Sequence, residues 1–231
     1  MVNYRMKNIN DVCVVVQARL GSTRVPGKML KPFCGTTLTD ILLDKLKFSK
    51  AIPTENIFFS AHEKELQNVA RRHGITIFDR SKKSADSEGE PLSEIYEWHD
   101  KLPYKYVVLI SACNPLLKLK TIDNFFEEYL QSKNDGQFAV FEKKTYYWDK
   151  NGQPATDWKG ATIMNTKFVD PIYEAAHCLY ASRLDVIKDG YWMDSQSPPE
   201  PDLFTMDELE AFDIDYDWQF DIGEVLYERF K

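Results

Sequence analysis

Near its start the chain runs Val12-Cys13-Val14-Val15-Val16-Gln17, an unbroken apolar stretch closed by a polar residue, and then enters a loop of cations and glycines. A strand covered on both faces reads as a continuous apolar run rather than an alternating one, which is the signature of a parallel sheet. Parallel neighbours need crossover connections, so such a chain is committed to βαβ units. The next 120 or so residues supply them. A helix is predicted to begin near Thr37, with Leu38, Ile41, Leu42, Lys45 and Leu46 at helical spacing. Asn56–Ala61 reads as a strand, Glu63–Arg72 as a helix with Gly74 at its C-cap, and Ile75–Phe78 as a short third strand. Asp79–Glu90 lacks any period and is expected to be a loop. Pro91–Asp100 is predicted as a helix with Pro91 in its first turn. Lys105–Ala112 is the strongest strand, and Thr121–Gln131 an amphipathic helix capped by Thr121. The sum is an α/β fold: a Rossmann-like, mixed but mostly parallel sheet with helices on both faces.

After Gly136 the pattern changes. Gln137–Trp148 and Gly160–Asn165 read as antiparallel strands or a hairpin, so residues 137–180 are expected to form a small antiparallel insertion or arm. His177–Ser182 is expected to return to the sheet. Phe212–Asp215 reads as a short last strand and Asp217–Phe230 as a closing helix. At 231 residues and 43% hydrophobic the chain is expected to be a single domain with a sizeable core. Cys13, Cys34, Cys113 and Cys178 have neither zinc-knuckle nor disulfide spacing. No apolar run reaches about 18 residues, and the first ten are polar; together these predict a cytoplasmic protein without a membrane span. The net charge of −7 argues against a nucleic-acid partner.

That charge is unevenly spread. Residues 1–31 carry six bases and one acid, and residues 194–224 carry eleven acids and no base. The basic end includes the loop Gln17-Ala18-Arg19-Leu20-Gly21-Ser22-Thr23-Arg24-Val25-Pro26-Gly27-Lys28-Met29. It follows the first strand directly, at the carboxyl edge where open α/β sheets bind ligands. Its glycines let the backbone approach a ligand, and Arg19, Arg24 and Lys28 offer the charge-assisted hydrogen bonds a polyphosphate needs. Five residues separate Gly21 from Gly27 and Met29 follows Lys28, so this is not a Walker A loop. There is no Gly-x-Gly-x-x-Gly either. At the acidic end, Asp213 and Asp215 stand at i and i+2, which on a strand places both carboxylates on one side. A hard divalent cation such as Mg²⁺ suits such a pair.

The first loop resembles the Ala-Arg-x-Gly-Ser-x-Arg-x-Pro-x-Lys signature of the sugar cytidylyltransferases, the group of acylneuraminate (CMP-sialic acid), CMP-Kdo and spore-coat-type enzymes. The resemblance implies a nucleotidyltransferase, GT-A-like fold, with Ala18, Arg19, Leu20, Gly21, Ser22, Arg24 and Lys28 wrapping the triphosphate of CTP. The segment Asp213 to Glu224 resembles the family's Asp-Ile-Asp-x-x-x-Asp-x-x-x-Ala-Glu ending, with Gln219 and Gly223 departing from it, and implies that Asp213 and Asp215 hold Mg²⁺. Arg80, Asp86 and Ser87 fall in a stretch similar to one near the nucleotide base. Ser111 and Asn114 fall in one that reaches cytosine or ribose, and His177 and Tyr180 in one near the acceptor. Trp148, Trp158 and Trp192 occupy the segment in which family members build a homodimer arm.

The chemistry this implies is in-line attack of an acceptor oxygen on the α-phosphorus of CTP with release of pyrophosphate. Arg19, Lys28 and Asp215 are the residues expected to carry it. A sialic-acid-like acceptor is the family default, with phosphorylated or phosphonate acceptors as alternatives. Two other classes stand beside this reading: a GT-A-type glycosyltransferase, which has no need of the Arg19–Lys28 loop, and an inactive nucleotide-binding module, in which an intact loop and acidic pair are unexpected.

Overall fold

The computed structural model describes residues 7–86, 90–156, 165–189 and 201–230. Seven strands form one sheet: β1 (Val12–Gln17), β2 (Ile57–Ala61), β3 (Thr76–Asp79), β4 (Tyr106–Ile110), β5 (Gln137–Lys143), β6 (Ile172–Arg183) and β7 (Asp202–Thr205). Their spatial order is β3-β2-β1-β4-β6-β5-β7. β1 pairs in parallel with β2 and β4, β2 with β3, and β5 with β7; only β6 runs antiparallel to its neighbours. The sheet is therefore mixed and mostly parallel, as the apolar run of β1 requires.

Alternate residues of β1 enter two cores. Val12, Val14 and Val16 pack with α1 (Leu38–Lys47), α2 (Lys64–His73) and, further along the chain, Ile122, Phe125, Phe126 and Phe220. Cys13 and Val15 face the other way, against Trp98, Val107, Leu184 and Ile187. The long helices lie on the first side. The second is covered by short pieces: α4 (Leu92–Ile95) and the 3₁₀ turns Glu97–Asp100 and Ile187–Asp189. Thr37 caps α1 by accepting from Asp40 N, and Gly74 closes α2 at φ 70°.

Several expectations need correction. Asp79–Glu90 is not all loop, because Ser81 caps a turn of helix, α3 (Lys82–Ala85). The helix expected over Pro91–Asp100 breaks at Tyr96, where φ −107° and ψ 47° interrupt it. α5 runs Leu119–Gln131, so Thr121 lies inside its first turn, and no side chain of the preceding residue Lys118 caps it. Residues 137–180 are not set apart as an arm. β5 and β6 are interior strands of the sheet, and only the excursion between Lys143 and Ile172 leaves it. Most of Gly160–Asn165, with Trp158 and Trp192, lies outside the described residues. Phe212–Asp215 is not a strand and pairs with no ladder; α6 (Asp217–Phe230) follows as expected. β7, a parallel edge strand of four residues, had no legible signal. Among the described residues no helix is long and apolar enough to cross a membrane.

Candidate nucleotide site

The loop after β1 folds around its own short bonds. Ser22 N donates to Leu20 O, Val25 N to Ser22 Oγ at 3.2 Å, and Leu30 N and Lys31 N both return to Gly27 O. Gly27 sits at φ 65°, in the left-handed region where a side chain is strained. Glu63, just before α2, accepts from Leu20 N at 2.8 Å and ties the loop's base to the neighbouring βα corner. Ala18 continues the strand, its N–H donating to Ser60 O.

This loop and the acidic segment meet. Arg24 Nη2 lies 2.8 Å and Lys28 Nζ 3.2 Å from Asp215 Oδ1, and Lys28 also donates to Ile214 O at 2.6 Å. Beside them is a cavity of about 260 Å³ lined by Gln17, Ala18, Arg19, Ser22, Thr23, Arg24, Lys28, Met29 and Cys113. A larger one of about 740 Å³ lies between α5 and β7, but its lining carries Glu127, Glu128 and Asp202 and no lysine or arginine. Of these two, only the smaller is lined by cations, Arg19, Arg24 and Lys28.

Electrostatics single out Asp213. Burial first, then the neighbouring Asp215, push its carboxyl up to about 6, against the pull of Lys28, His177 and Arg24. Its Oδ1 is buried without a hydrogen-bond partner. Burial depresses the Lys28 ammonium, but Cys113, Asp213 and Asp215 outweigh it and leave its pKa above the ordinary value. Cys113, whose thiol burial pushes up, faces Lys28 and was not singled out from the sequence. Its only signal is its place one turn past the strongest strand. Tyr216 was missed too: its ring lies 5.4 Å below the Arg24 guanidinium.

Other expected residues are placed differently. Arg80 is 2% exposed and absent from the cavity wall. Its guanidinium donates to Ser84 Oγ and to the carbonyls of Ser84 and Ile95, which binds α3 to α4, and burial lowers its pKa to about 10. Arg19 reaches the same corner, donating to Ala85 O at 3.2 Å while lining the cavity. Asp86 ends α3 at the surface, and Ser87 lies outside the described residues. Asn114 is 4% exposed, with Nδ2 donating to Ala211 O at 3.1 Å and Oδ1 unpartnered, so it faces the acidic segment and not the cavity. Ser111 Oγ accepts from Cys113 N and shapes the turn. His177 lies in an irregularity of β6 at φ 52°, and its Nδ1 is 2.8 Å from the Tyr180 hydroxyl.

The family model named Cytidylyltransferase matches residues 13–183, from the second residue of β1 to the end of β6. The chain belongs to the cytidylyltransferase family. Within that family it is 25% identical over 138 residues to the spore coat polysaccharide biosynthesis protein SpsF of Bacillus subtilis (strain 168), covering 57% of this chain and 55% of that one. It is 24% identical over 160 residues to a pseudaminic acid cytidylyltransferase of Campylobacter jejuni subsp. jejuni, covering 64% and 66%. The matches thus span between about half and two thirds of those relatives. Among solved structures, CMP:2-keto-3-deoxy-manno-octonic acid synthetase complexed with CTP superposes with a TM-score of 0.68 at 10% identity, covering 94% of this chain and 98% of that one. The fold of that structure is therefore shared across nearly the whole chain.

Proposed function

We propose that this chain transfers CMP from CTP to a small anionic acceptor of the sugar-acid class and releases pyrophosphate. One observation carries the reading: Arg24 and Lys28 of the loop converge on Asp215 at the rim of the cavity, beside a buried Asp213 whose Oδ1 has no partner. The names of two relatives support it, a pseudaminic acid cytidylyltransferase and a synthetase crystallised with CTP.

In the reaction the acceptor oxygen attacks the α-phosphorus, the bond from that phosphorus to the departing pyrophosphate breaks, and the hydroxyl proton leaves to water. Arg19, Arg24 and Lys28 hold the β- and γ-phosphates and neutralise the charge that grows on the leaving group. Ser22, Gly21 and Leu20 give the loop its shape around them. A divalent cation would fit the acidic pair: Asp213 Oδ1 is an unsatisfied buried acceptor, and burial and the neighbouring Asp215 raise the cost of ionising Asp213, a cost that a bound cation would offset. Mg²⁺ bound there supplies charge neutralisation on the phosphate oxygens. Arg24 and Lys28 both reach Asp215 Oδ1, so a phosphate group would compete with that carboxylate for the two cations. His177 and Tyr180, bonded to each other near Asp213, form the acceptor side. Exposed Trp148, Phe168 and Tyr173 on and beside the excursion between β5 and β6 support a homodimer contact there.

The test is pyrophosphate release with each of the four NTPs against pseudaminic acid, sialic acids, Kdo and phosphorylated small molecules. CTP with a sugar acid is expected to give turnover. Release from a sugar nucleotide in place of CTP, or no turnover with any pair, refutes the reading.

A further inference from the structure

The segment bearing the two aspartates is tied to the turn between β4 and α5 at three points behind the cavity. Ile214 N donates to Cys113 O at 3.0 Å, and Asn114 Nδ2 donates to Ala211 O at 3.1 Å. Glu210 makes the third tie. Its Oε2 accepts from the backbone N–H of Lys118 and its Oε1 from the Lys118 ammonium, both at 3.0 Å.

Glu210 is 5% exposed, so its carboxylate is held inside the protein. Lys118 immediately precedes α5, which has no side-chain cap of its own. Glu210 thus caps α5 from a distant part of the sequence and places a negative charge where the helix dipole favours one. The turn is pinned from its other side as well. Lys45 of α1 donates to Pro115 O at 2.6 Å and to Leu117 O at 2.7 Å, and burial lowers its pKa to about 8 against the pull of Glu210. The Lys118 side chain is 58% exposed, so its ion pair with Glu210 is screened by water and is a weak source of net stability. What it supplies here is register. Asp213 comes three residues after Glu210, with no regular structure between Ala211 and Tyr216. A carboxylate pair that must meet a small cation at about 2.1 Å tolerates little drift.

We propose that Glu210 is a positioning residue for the Asp213–Asp215 pair, acting through its bonds to the start of α5. The inference rests on the assignment of a divalent cation to that pair. Glu210 touches neither cation nor nucleotide; it fixes the backbone that presents the two carboxylates.

The test uses the full chain and reads Mn²⁺ binding in the presence of CTP and absence of acceptor, from the loss of the free Mn²⁺ electron paramagnetic resonance signal. Glu210→Ala is expected to weaken Mn²⁺ binding about tenfold or more, as losing an outer-shell support does. Its affinity for CTP without divalent ion is expected to stay within about twofold of the parent's, since the basic loop is untouched. Glu210→Gln keeps an acceptor for Lys118 N and is expected to recover most of the Mn²⁺ affinity. If the Ala variant does not fold, Glu210→Asp, one methylene too short to reach, is expected to show the same weakening. Unchanged Mn²⁺ affinity in a folded Ala or Asp variant, whatever its melting temperature, overturns the inference. Asp213→Asn in the same assay separates the two ideas. If the parent binds no Mn²⁺, or Asp213→Asn binds it as tightly as the parent, the cation assignment itself fails.

Discussion

Asp213→Asn should make the metal-free protein more stable while abolishing its activity. The carboxyl rises from an ordinary 3.8 to about 6 on folding, with burial the main cause and Asp215 the second. Between about pH 4 and pH 6 the folded chain therefore keeps a proton that the unfolded chain has released. Stability falls as pH climbs through that window and stays lower above it. At about 1.4 kcal/mol per tenfold in proton affinity, the ionised form costs ~3 kcal/mol at pH 7.5, an upper bound for what the neutral isostere recovers. Asn has no proton to lose, and its amide fits the same space. Urea unfolding at pH 4.5 and pH 7.5 in EDTA is the assay. The variant should exceed the parent by about 2–3 kcal/mol at pH 7.5, with the difference shrinking towards pH 4.5. Mg²⁺ with CTP should raise the parent's stability and not the variant's. A variant weaker than the parent at pH 7.5, or a gain equal at both pH values, refutes the electrostatic argument.

Other substitutions divide site from scaffold. Lys28→Ala should lower kcat/KM for CTP about 10²–10³-fold, by analogy with the loss of an oxyanion donor. Lys28→Arg should restore it poorly, because the compact ammonium sits 2.6 Å from Ile214 O where a planar fork does not fit; steady-state kinetics decide. Gly27→Ala should cost ~1 kcal/mol in a denaturation midpoint although its new Cβ would meet nothing within 4 Å, because the cost lies in φ 65°. Arg80→Met should destabilise by ~2 kcal/mol through the stranded Ser84 carbonyl, yet leave KM for CTP within about twofold in the folded protein.

The parts of the fold legible in the sequence are those in which one local signal suffices. The apolar run of β1, the helix start near Thr37, the cap at Gly74 and the closing helix α6 depend on residues within a few positions of each other, and each appears where expected. β7 was illegible because Asp202–Thr205 is a four-residue edge strand whose partner, β5, lies some 65 positions earlier. Thr121 looked like a cap because the real one, Glu210, is 92 residues from Lys118. For the site, the density of cations in the loop and the acidic pair near the chain's end marked residues that the fold brings within 2.8 Å. Arg80 and Asn114 carry the right chemistry in a suggestive stretch, but their bonds go inward. Sequence alone does not say which way a polar side chain points. Gly223 shows the same limit from the other side. A Cβ there would lie 3.1 Å from Ile214 Cδ1, so this glycine lets α6 approach the residue between the two aspartates.

The most direct test of the account is a crystal structure of the protein with CTP and Mn²⁺, located by its anomalous signal. The expected result is one Mn²⁺ bound to oxygens of Asp213 and Asp215 and to phosphate oxygens, with Arg19, Arg24 and Lys28 against the β- and γ-phosphates. CTP bound away from that loop, or a metal peak that touches neither aspartate, contradicts it.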